Sequence, residues 1–161
     1  MRALVVVTGG TFDKEYDEIR GTLSFGATHL PEMLKLGRSR LNIRVNRLMM
    51  KDSLFMTAGD RKKILAACRR APESRIVITH GTDTMAETAA VLGPGLRGKT
   101  VVLTGAMRPY RFGSSDGLFN LGSALSFAQA LPPGVYVAMN GLVFTWDDVK
   151  KDKRQGIFTR R

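Results

Sequence analysis

Short β-branched runs alternate along this chain with longer segments of helical period. Leu4-Val5-Val6-Val7, Ile76-Val77-Ile78 and Val101-Val102-Leu103 are unbroken apolar stretches, the pattern of strands buried on both faces. Leu41 to Met50 alternates in part, with Ile43, Val45 and Leu48 apolar, and reads as another strand. Val135 to Met139 and Leu142-Val143-Phe144 complete the set. Between them the spacing predicts a short helix over 31–37 that stops at Gly37, and a helix from about Gly59 to Ala71 that Pro72 terminates. Thr57 and Asp60 offer that second helix a weaker capping pair. Met85, Thr88, Ala89 and Leu92 share the face of a helix beginning just after Thr84, and Thr84 with Glu87 fits a capping box. Asp116 precedes an apolar helix from Leu118 to Leu131, which Pro132-Pro133-Gly134 ends. Residues 12–30 are polar and mixed, with Gly21, Gly26 and Pro31 as punctuation. A loop of that length in a compact domain is usually functional, often a lid. The last residues are charged and show no clear periodicity.

Strands alternating with helices predict an α/β fold, a doubly wound and mostly parallel sheet with helices on both faces. At 161 residues the expectation is one domain, 1–161, with a sizeable core. Hydrophobic content of 43% and charged content of 24% carry no signature of disorder. No run is long enough for a membrane span, and the N-terminal apolar run is too brief for a signal peptide, so a cytoplasmic location is the default expectation. The single cysteine, Cys68, excludes an intrachain disulfide and reads as a small buried residue on a helix. A formal charge of +11 favours anionic partners, but the basic residues are scattered along the sequence and no aromatic residues interleave them. These charges are therefore read as solvated faces, with nucleic-acid binding kept as a minor alternative.

Candidate chemistry lies where strands run into loops. Leu4–Val7 leads into Thr8-Gly9-Gly10-Thr11, Ile76–Ile78 into Thr79-His80-Gly81-Thr82-Asp83-Thr84, and Val101–Leu103 into Thr104-Gly105-Ala106-Met107-Arg108-Pro109. Three strand ends rich in Gly and Thr point to one shared site, because open α/β sheets bind ligands outside the carboxyl ends of their strands. Glycine admits close backbone approach, and threonine supplies a hydroxyl that can donate, accept or attack. Gly93-Pro94-Gly95-Leu96-Arg97-Gly98-Lys99-Thr100 matches a phosphate-binding loop letter for letter. Its context is reversed, with a helix before and a strand after, so the match is chance. His29 and His80 are the only histidines and make no ligand spacing with each other or with Cys68, so no metal is expected. No Gly-x-Ser-x-Gly elbow is present.

These junctions, with Asp52-Ser53, Met56-Thr57, Ser115-Asp116-Gly117, Phe119-Asn120-Leu121, Met139-Asn140 and Asp148-Val149 leading to Lys151, resemble the bacterial-type L-asparaginase and glutaminase family in content and order. The resemblance covers nearly the whole chain and implies that family's larger, N-terminal α/β domain. It implies catalytic roles for Thr11 as nucleophile and Tyr16 as the residue that helps activate it. It also implies a second cluster of Thr82, Asp83 and Lys151, in which the aspartate holds the substrate's α-amino group and the lysine tunes the threonine. Gly10, Asp52, Ser53, Gly81 and Ala106 match substrate-binding positions, with Ser53 on the α-carboxylate and the Ala106 carbonyl receiving the side-chain amide. The chemistry is sound in itself, since a threonine hydroxyl needs a neighbouring base or cation to become a nucleophile.

The family's smaller C-terminal domain has no room in this length, so the site is expected to be more open, or to be completed from elsewhere by a carboxylate such as Glu15, Asp17 or Glu18. Leu54 and Phe55 follow Ser53 where polar residues are usual, which predicts looser substrate binding. The expected activity is cofactor-free conversion of L-asparagine to L-aspartate and ammonia through an acyl-enzyme, with L-glutamine as a second candidate substrate. The expected assembly is a dimer or tetramer of identical chains. Two alternatives stand beside it: a non-catalytic amino-acid-binding domain, and a partner-dependent subunit of the tRNA-linked amidotransferase type.

Overall fold

In the computed structural model, which describes residues 2–161, the apolar runs form the parallel strands of a six-stranded sheet. The elements relevant to the site are β1 (Arg2–Gly9), β2 (Lys14–Asp17), β3 (Thr22–Phe25), α1 (Leu30–Leu36), β4 (Asn42–Lys51), α2 (Ala58–Arg70), β5 (Arg75–Thr79), α3 (Met85–Leu92), β6 (Thr100–Thr104), α4 (Gly117–Ala130), β7 (Gly134–Met139), β8 (Leu142–Thr145), β9 (Lys150–Asp152) and β10 (Ile157–Thr159). Strand order is β4-β1-β5-β6-β7-β8, parallel throughout except for antiparallel β8.

The period-2 alternation of each strand divides its side chains between two cores. Leu4, Val6, Ile76, Ile78, Val101 and Leu103 face α2 and α3, where they meet Ile64, Cys68, Met85 and Leu92. Val5, Val7, Val77 and Val102 face α1 and α4, against Leu30, Met33, Leu121 and Ala124. Strands buried on both faces explain why the sequence shows unbroken apolar runs instead of polar alternation. Each fully buried aliphatic side chain contributes roughly 1.5–3 kcal/mol, so a central strand such as β1 is anchored from both sides.

The winding fixes where a ligand can sit. From β1 the chain passes over one face through α1 to β4, then crosses over the other face through α2 to β5 on the far side of β1. The direction of winding therefore reverses between β1 and β5. Their carboxyl ends diverge there into a crevice, the position open α/β sheets use for binding.

Three expectations need correction. Residues 12–30 are not an irregular loop: after a 3-10 turn over Thr11–Asp13 they form the antiparallel hairpin β2–β3. The charged C-terminal residues form a second hairpin, β9–β10. Thr84 is the residue before α3, but it makes no side-chain cap; its hydroxyl donates to the Ser53 carbonyl at 2.9 Å, while Glu87 pairs with Arg61. The reciprocal capping box belongs to the weaker candidate, Thr57 and Asp60 on α2. Among the described residues no helix is long and apolar enough to cross a membrane.

Candidate active site

Three strand-end loops converge on Gly81. A Cβ on Gly10 would stand 2.3 Å from the Gly81 nitrogen, and one on Gly81 would stand 2.5 Å from Ser53 Oγ. Only hydrogen fits between these backbones, so the loops after β1, β4 and β5 are stacked in contact. Gly10 also has φ of 82°, which a side chain would strain. Thr11 and Thr82 each follow one of the touching glycines. The two threonines are thereby brought to the same crevice from two different strands.

Thr82 is buried, and Lys151 reaches it from β9: Lys151 Nζ donates to Thr82 Oγ1 at 2.8 Å and to Asp83 Oδ1 at 2.7 Å. The lysine side chain is itself only 10% exposed, so its charge is held in a partly desolvated setting. A hydroxyl hydrogen-bonded to an amine nitrogen can exchange a proton with it. Asp83 keeps a second carboxylate oxygen for a cationic ligand group.

Ser53 is buried beside this cluster, and its hydroxyl accepts a long hydrogen bond, 3.4 Å, from the Thr84 amide. Asp52 caps the turn Ser53–Phe55 by accepting from the Leu54 amide at 3.0 Å, and receives Lys14 Nζ at 2.5 Å. These two contacts hold its carboxyl below the ordinary value against a desolvation that works the other way. Ala106 is fully buried after β6, and a Cβ on neighbouring Gly105 would lie 2.4 Å from the His80 carbonyl.

Tyr16 stands on β2 with its side chain largely exposed, 60%, and its hydroxyl close to Gly21 at the hairpin's own turn. Among the described residues no hydrogen bond joins it to Thr11. The hairpin that carries it is pinned at its base: Asp13 accepts from the His29 amide at 2.8 Å, Glu15 faces His29 Nε2 at 3.1 Å, and Lys14 meets Asp52. Asp17 closes the hairpin turn by accepting from the Ile19 and Arg20 amides. Asp17, one of the three carboxylates considered for completing the site, is thereby committed within the hairpin, while Glu15 lies beside His29 without a hydrogen bond to it.

Sequence reasoning missed the supports behind the site. His80 is fully buried, its Nδ1 2.7 Å from the Gly81 carbonyl and its Nε2 2.8 Å from Thr88 Oγ1, which in turn accepts from Arg61 Nε at 3.1 Å. A carbonyl can only accept, so Nδ1 carries the proton and Nε2 accepts from the hydroxyl. Burial pushes His80 down to about 4, and the Arg61 charge adds to that. Asn120 braces the loop after β6 in the same way, donating to the Gly105 carbonyl and to Asp116, which accepts from the Met107 and Arg108 amides. The signal was present: both residues sit inside motifs, but their partners are distant in sequence. Cys68 offers no competing nucleophile, since burial raises its thiol to about 12.

Fold and site together define a doubly wound α/β domain with a threonine-lined crevice at its topological switch point. The family profile described as "Asparaginase, N-terminal" matches residues 2–158, and the chain belongs to the asparaginase family. It is 33% identical to the L-asparaginase of Thermococcus kodakarensis over 162 residues, 98% of this chain and 49% of that protein. It is 34% identical to a glutamyl-tRNA(Gln) amidotransferase subunit of Methanococcus vannielii, over 98% of this chain and 38% of that one. The solved structure of the thermostable Thermococcus kodakarensis L-asparaginase superposes with a TM-score of 0.88 at 34% identity, covering 99% of this chain and 51% of that one. The chain spans about half the length, or less, of these relatives.

Proposed function

We propose that this chain is an amidohydrolase that converts L-asparagine to L-aspartate and ammonia, with Thr11 as nucleophile. The observation that carries the reading is the reach of Lys151 to both Thr82 Oγ1 and Asp83 Oδ1 across the switch-point crevice. Similarity to L-asparaginases over nearly the whole chain supports it. In this reading Thr11 Oγ attacks the carboxamide carbon and gives up its proton, the C–N bond breaks, and the amine leaves as ammonia after taking that proton. Water then attacks the threonyl ester and aspartate is released. Backbone amides at the stacked glycine loops supply donors for the oxyanion. Asp83 and Ser53 hold the amino and carboxylate groups, and Gly10, Gly81, Asp52 and the Ala106 carbonyl shape the rest of the pocket. Tyr16 takes part only when the hairpin swings its ring inward.

The same reading includes a cytoplasmic, cofactor-free enzyme assembled from identical chains, with L-glutamine as a slower substrate. The test is ammonia release from L-asparagine and, separately, L-glutamine by the intact chain and by Thr11→Ala and Thr82→Ala. Loss in both variants supports it; equal release by the variants refutes it. A second reading, a component that delivers ammonia to a partner, rests on the similarity to the tRNA-linked amidotransferase of Methanococcus vannielii. Under that reading the isolated chain binds asparagine or glutamine but releases no ammonia.

A further inference from the structure

The parallel register gathers at one end of the sheet cations that lie far apart in the sequence. Arg2 pairs with Asn42, Ala3 with Arg75, and Arg75 with Thr100, so the starts of β4, β1, β5 and β6 lie side by side. Onto this end, opposite the candidate active site, come exposed Arg2, Arg40 just before β4, Arg69 and Arg70 at the close of α2, and Arg97 in the turn before β6. Hydrogen bonds show that these segments are contiguous. Arg69 Nε donates to the Gly95 carbonyl at 3.0 Å, tying the end of α2 to the Arg97 turn, and Lys99 Nζ donates to the Ala71 and Glu73 carbonyls.

Arginines outnumber carboxylates at this end: antiparallel β8 brings exposed Asp147 and half-buried Asp148 to its β7 edge, where Asp148 pairs with Arg160 at 3.8 Å. Within segments 38–42, 69–75, 97–100 and 131–134 the only carboxylate is Glu73. It is buried and already shared by Arg44 at 2.7 Å and Arg2 at 3.3 Å. Asp52, Asp60, Asp83 and Asp116 lie at the other end, beyond the carboxyl ends of strands or at the start of α2 and α4. At the crevice end the carboxylates are matched by lysines, Lys14 on Asp52, Lys51 on Asp60 and Lys151 on Asp83, whereas Arg40, Arg70 and Arg97 at the base have no side-chain ion pair among the described residues. None of the exposed large apolar side chains falls in the base segments.

We infer that this base binds the phosphate backbone of double-stranded nucleic acid. Arginine predominates over lysine, and its planar fork suits bidentate phosphate contact. The four strand starts span about 14 Å at the usual inter-strand spacing, wide enough to meet several phosphates of one duplex face. Among the described residues no exposed aromatic side chain lies on this face to stack unpaired bases, and its exposed apolar residues are prolines such as Pro72, Pro132 and Pro133, with no large exposed apolar group to insert into a bilayer. Duplex backbone is the polyanion that needs neither.

The experiment is fluorescence anisotropy of labelled 20-base-pair duplex RNA and duplex DNA titrated with the full chain over a salt series. A single-stranded 20-mer and vesicles of mixed anionic and neutral phospholipid serve as comparisons. The expected result is duplex binding that weakens by about a hundredfold or more between roughly 50 and 200 mM salt, from release of counterions at several phosphates. The triple variant Arg40→Glu, Arg70→Glu, Arg97→Glu should weaken binding at least about thirtyfold, and the neutral glutamine version by less. A control of equal charge change elsewhere, Arg20→Glu, Lys153→Glu, Arg154→Glu, should cost no more than about threefold. The three base arginines are exposed and make no side-chain ion pair among the described residues, so circular dichroism should show both variants folded. No duplex binding at low salt, equal loss in the control, or binding to vesicles or single strands in preference to duplex would each overturn the inference. The ratio of RNA to DNA affinity then identifies the duplex.

Discussion

Gly10 and Gly81 touch through their backbones at the point where the strand winding reverses, and neither position has space for a methyl group. The contact sets the separation of the loops carrying Thr11 and Thr82. Gly10→Ala would force the methyl into the Gly81 nitrogen and hold a side chain at φ of 82°. Overpacking against backbone and the unfavourable conformation together are expected to cost about 3 kcal/mol. Displacing one threonine by even 1 Å is expected to lower ammonia release by roughly a hundredfold. Thermal melts and ammonia assays on Gly10→Ala check both. Wild-type turnover in that variant would show that the loops relax without consequence and that the contact does not position the site.

Lys151 provides a cleaner separation of charge from proton transfer. Lys151→Met removes the one cation that, among the described residues, reaches both Thr82 and Asp83, and is expected to lower kcat on the order of a hundredfold or more. It should change stability little, because Asp83 is 38% exposed and paired at a partly solvated site. Lys151→Arg restores the charge but not an exchangeable neutral form, since a guanidinium does not deprotonate. If Lys151 passes a proton to or from Thr82, arginine fails to rescue kcat; if the charge alone matters, it rescues. Steady-state kcat and KM of the two variants decide between these roles.

The strands and the parallel sheet were legible because they rest on local pattern, β-branched runs with glycine breaks; the stack at Gly81 was not, because it brings in the Ser53 turn after β4, which lacks the Gly–Thr pattern of the junctions after β1, β5 and β6. Both hairpins escaped. Lys14–Asp17 and Thr22–Phe25 expose Tyr16 and Leu23 and bury little, and β9 and β10 bury chiefly Phe158 and the partly covered Lys151, so no apolar period marks them. Their pairing comes from anchors such as Asp13 on the His29 amide, which sequence order does not display. The basic base was illegible for a related reason. Arg2, Arg40, Arg70 and Arg97 look scattered until parallel strands bring four segment ends together.

Two candidate capping pairs carry the same sequence signature and divide by what else is within reach. Thr57 is exposed and free to cap, so its hydroxyl accepts from Asp60 N at 3.2 Å. Thr84 lies beside the Ser53 carbonyl and donates there instead. Thr57→Ala should therefore destabilise the chain by about 1 kcal/mol. Asp60 amplifies the effect, because Lys51 and the Thr57 amide hold its carboxyl far below the ordinary value. Glu87→Gln, at a side chain 66% exposed and paired only with Arg61, should change stability by less than about 0.5 kcal/mol. Chemical denaturation of the two variants tests the contrast, and a larger loss in Glu87→Gln than in Thr57→Ala would reverse the assignment.

His80 makes a prediction with a defined sign. Its imidazole is held near 4 in the folded chain against 6.5 when unconstrained, chiefly by burial. Between those values the unfolded chain binds a proton that the folded chain refuses, so stability rises with pH across the window and is lost as pH falls through it. The full effect, about 3 kcal/mol from the separation of the two values, is present as a loss below pH 4 and absent above about 6.5. Asp13 titrates in the opposite sense, its burial raising the carboxyl, so the wild-type slope alone does not isolate the imidazole. His80→Gln does: glutamine can donate to the Gly81 carbonyl and does not titrate. Glu73, drawn down to about 2 by Arg44, supplies a separate loss below 4.5 that persists in that variant. Urea denaturation at intervals from pH 4 to 8 should show the wild type losing stability steadily below 6.5 and His80→Gln holding level until the carboxylate range. Equal slopes in the two proteins would mean that His80 is protonated in the folded chain, and the hydrogen bond it accepts from Thr88 would have to be redrawn.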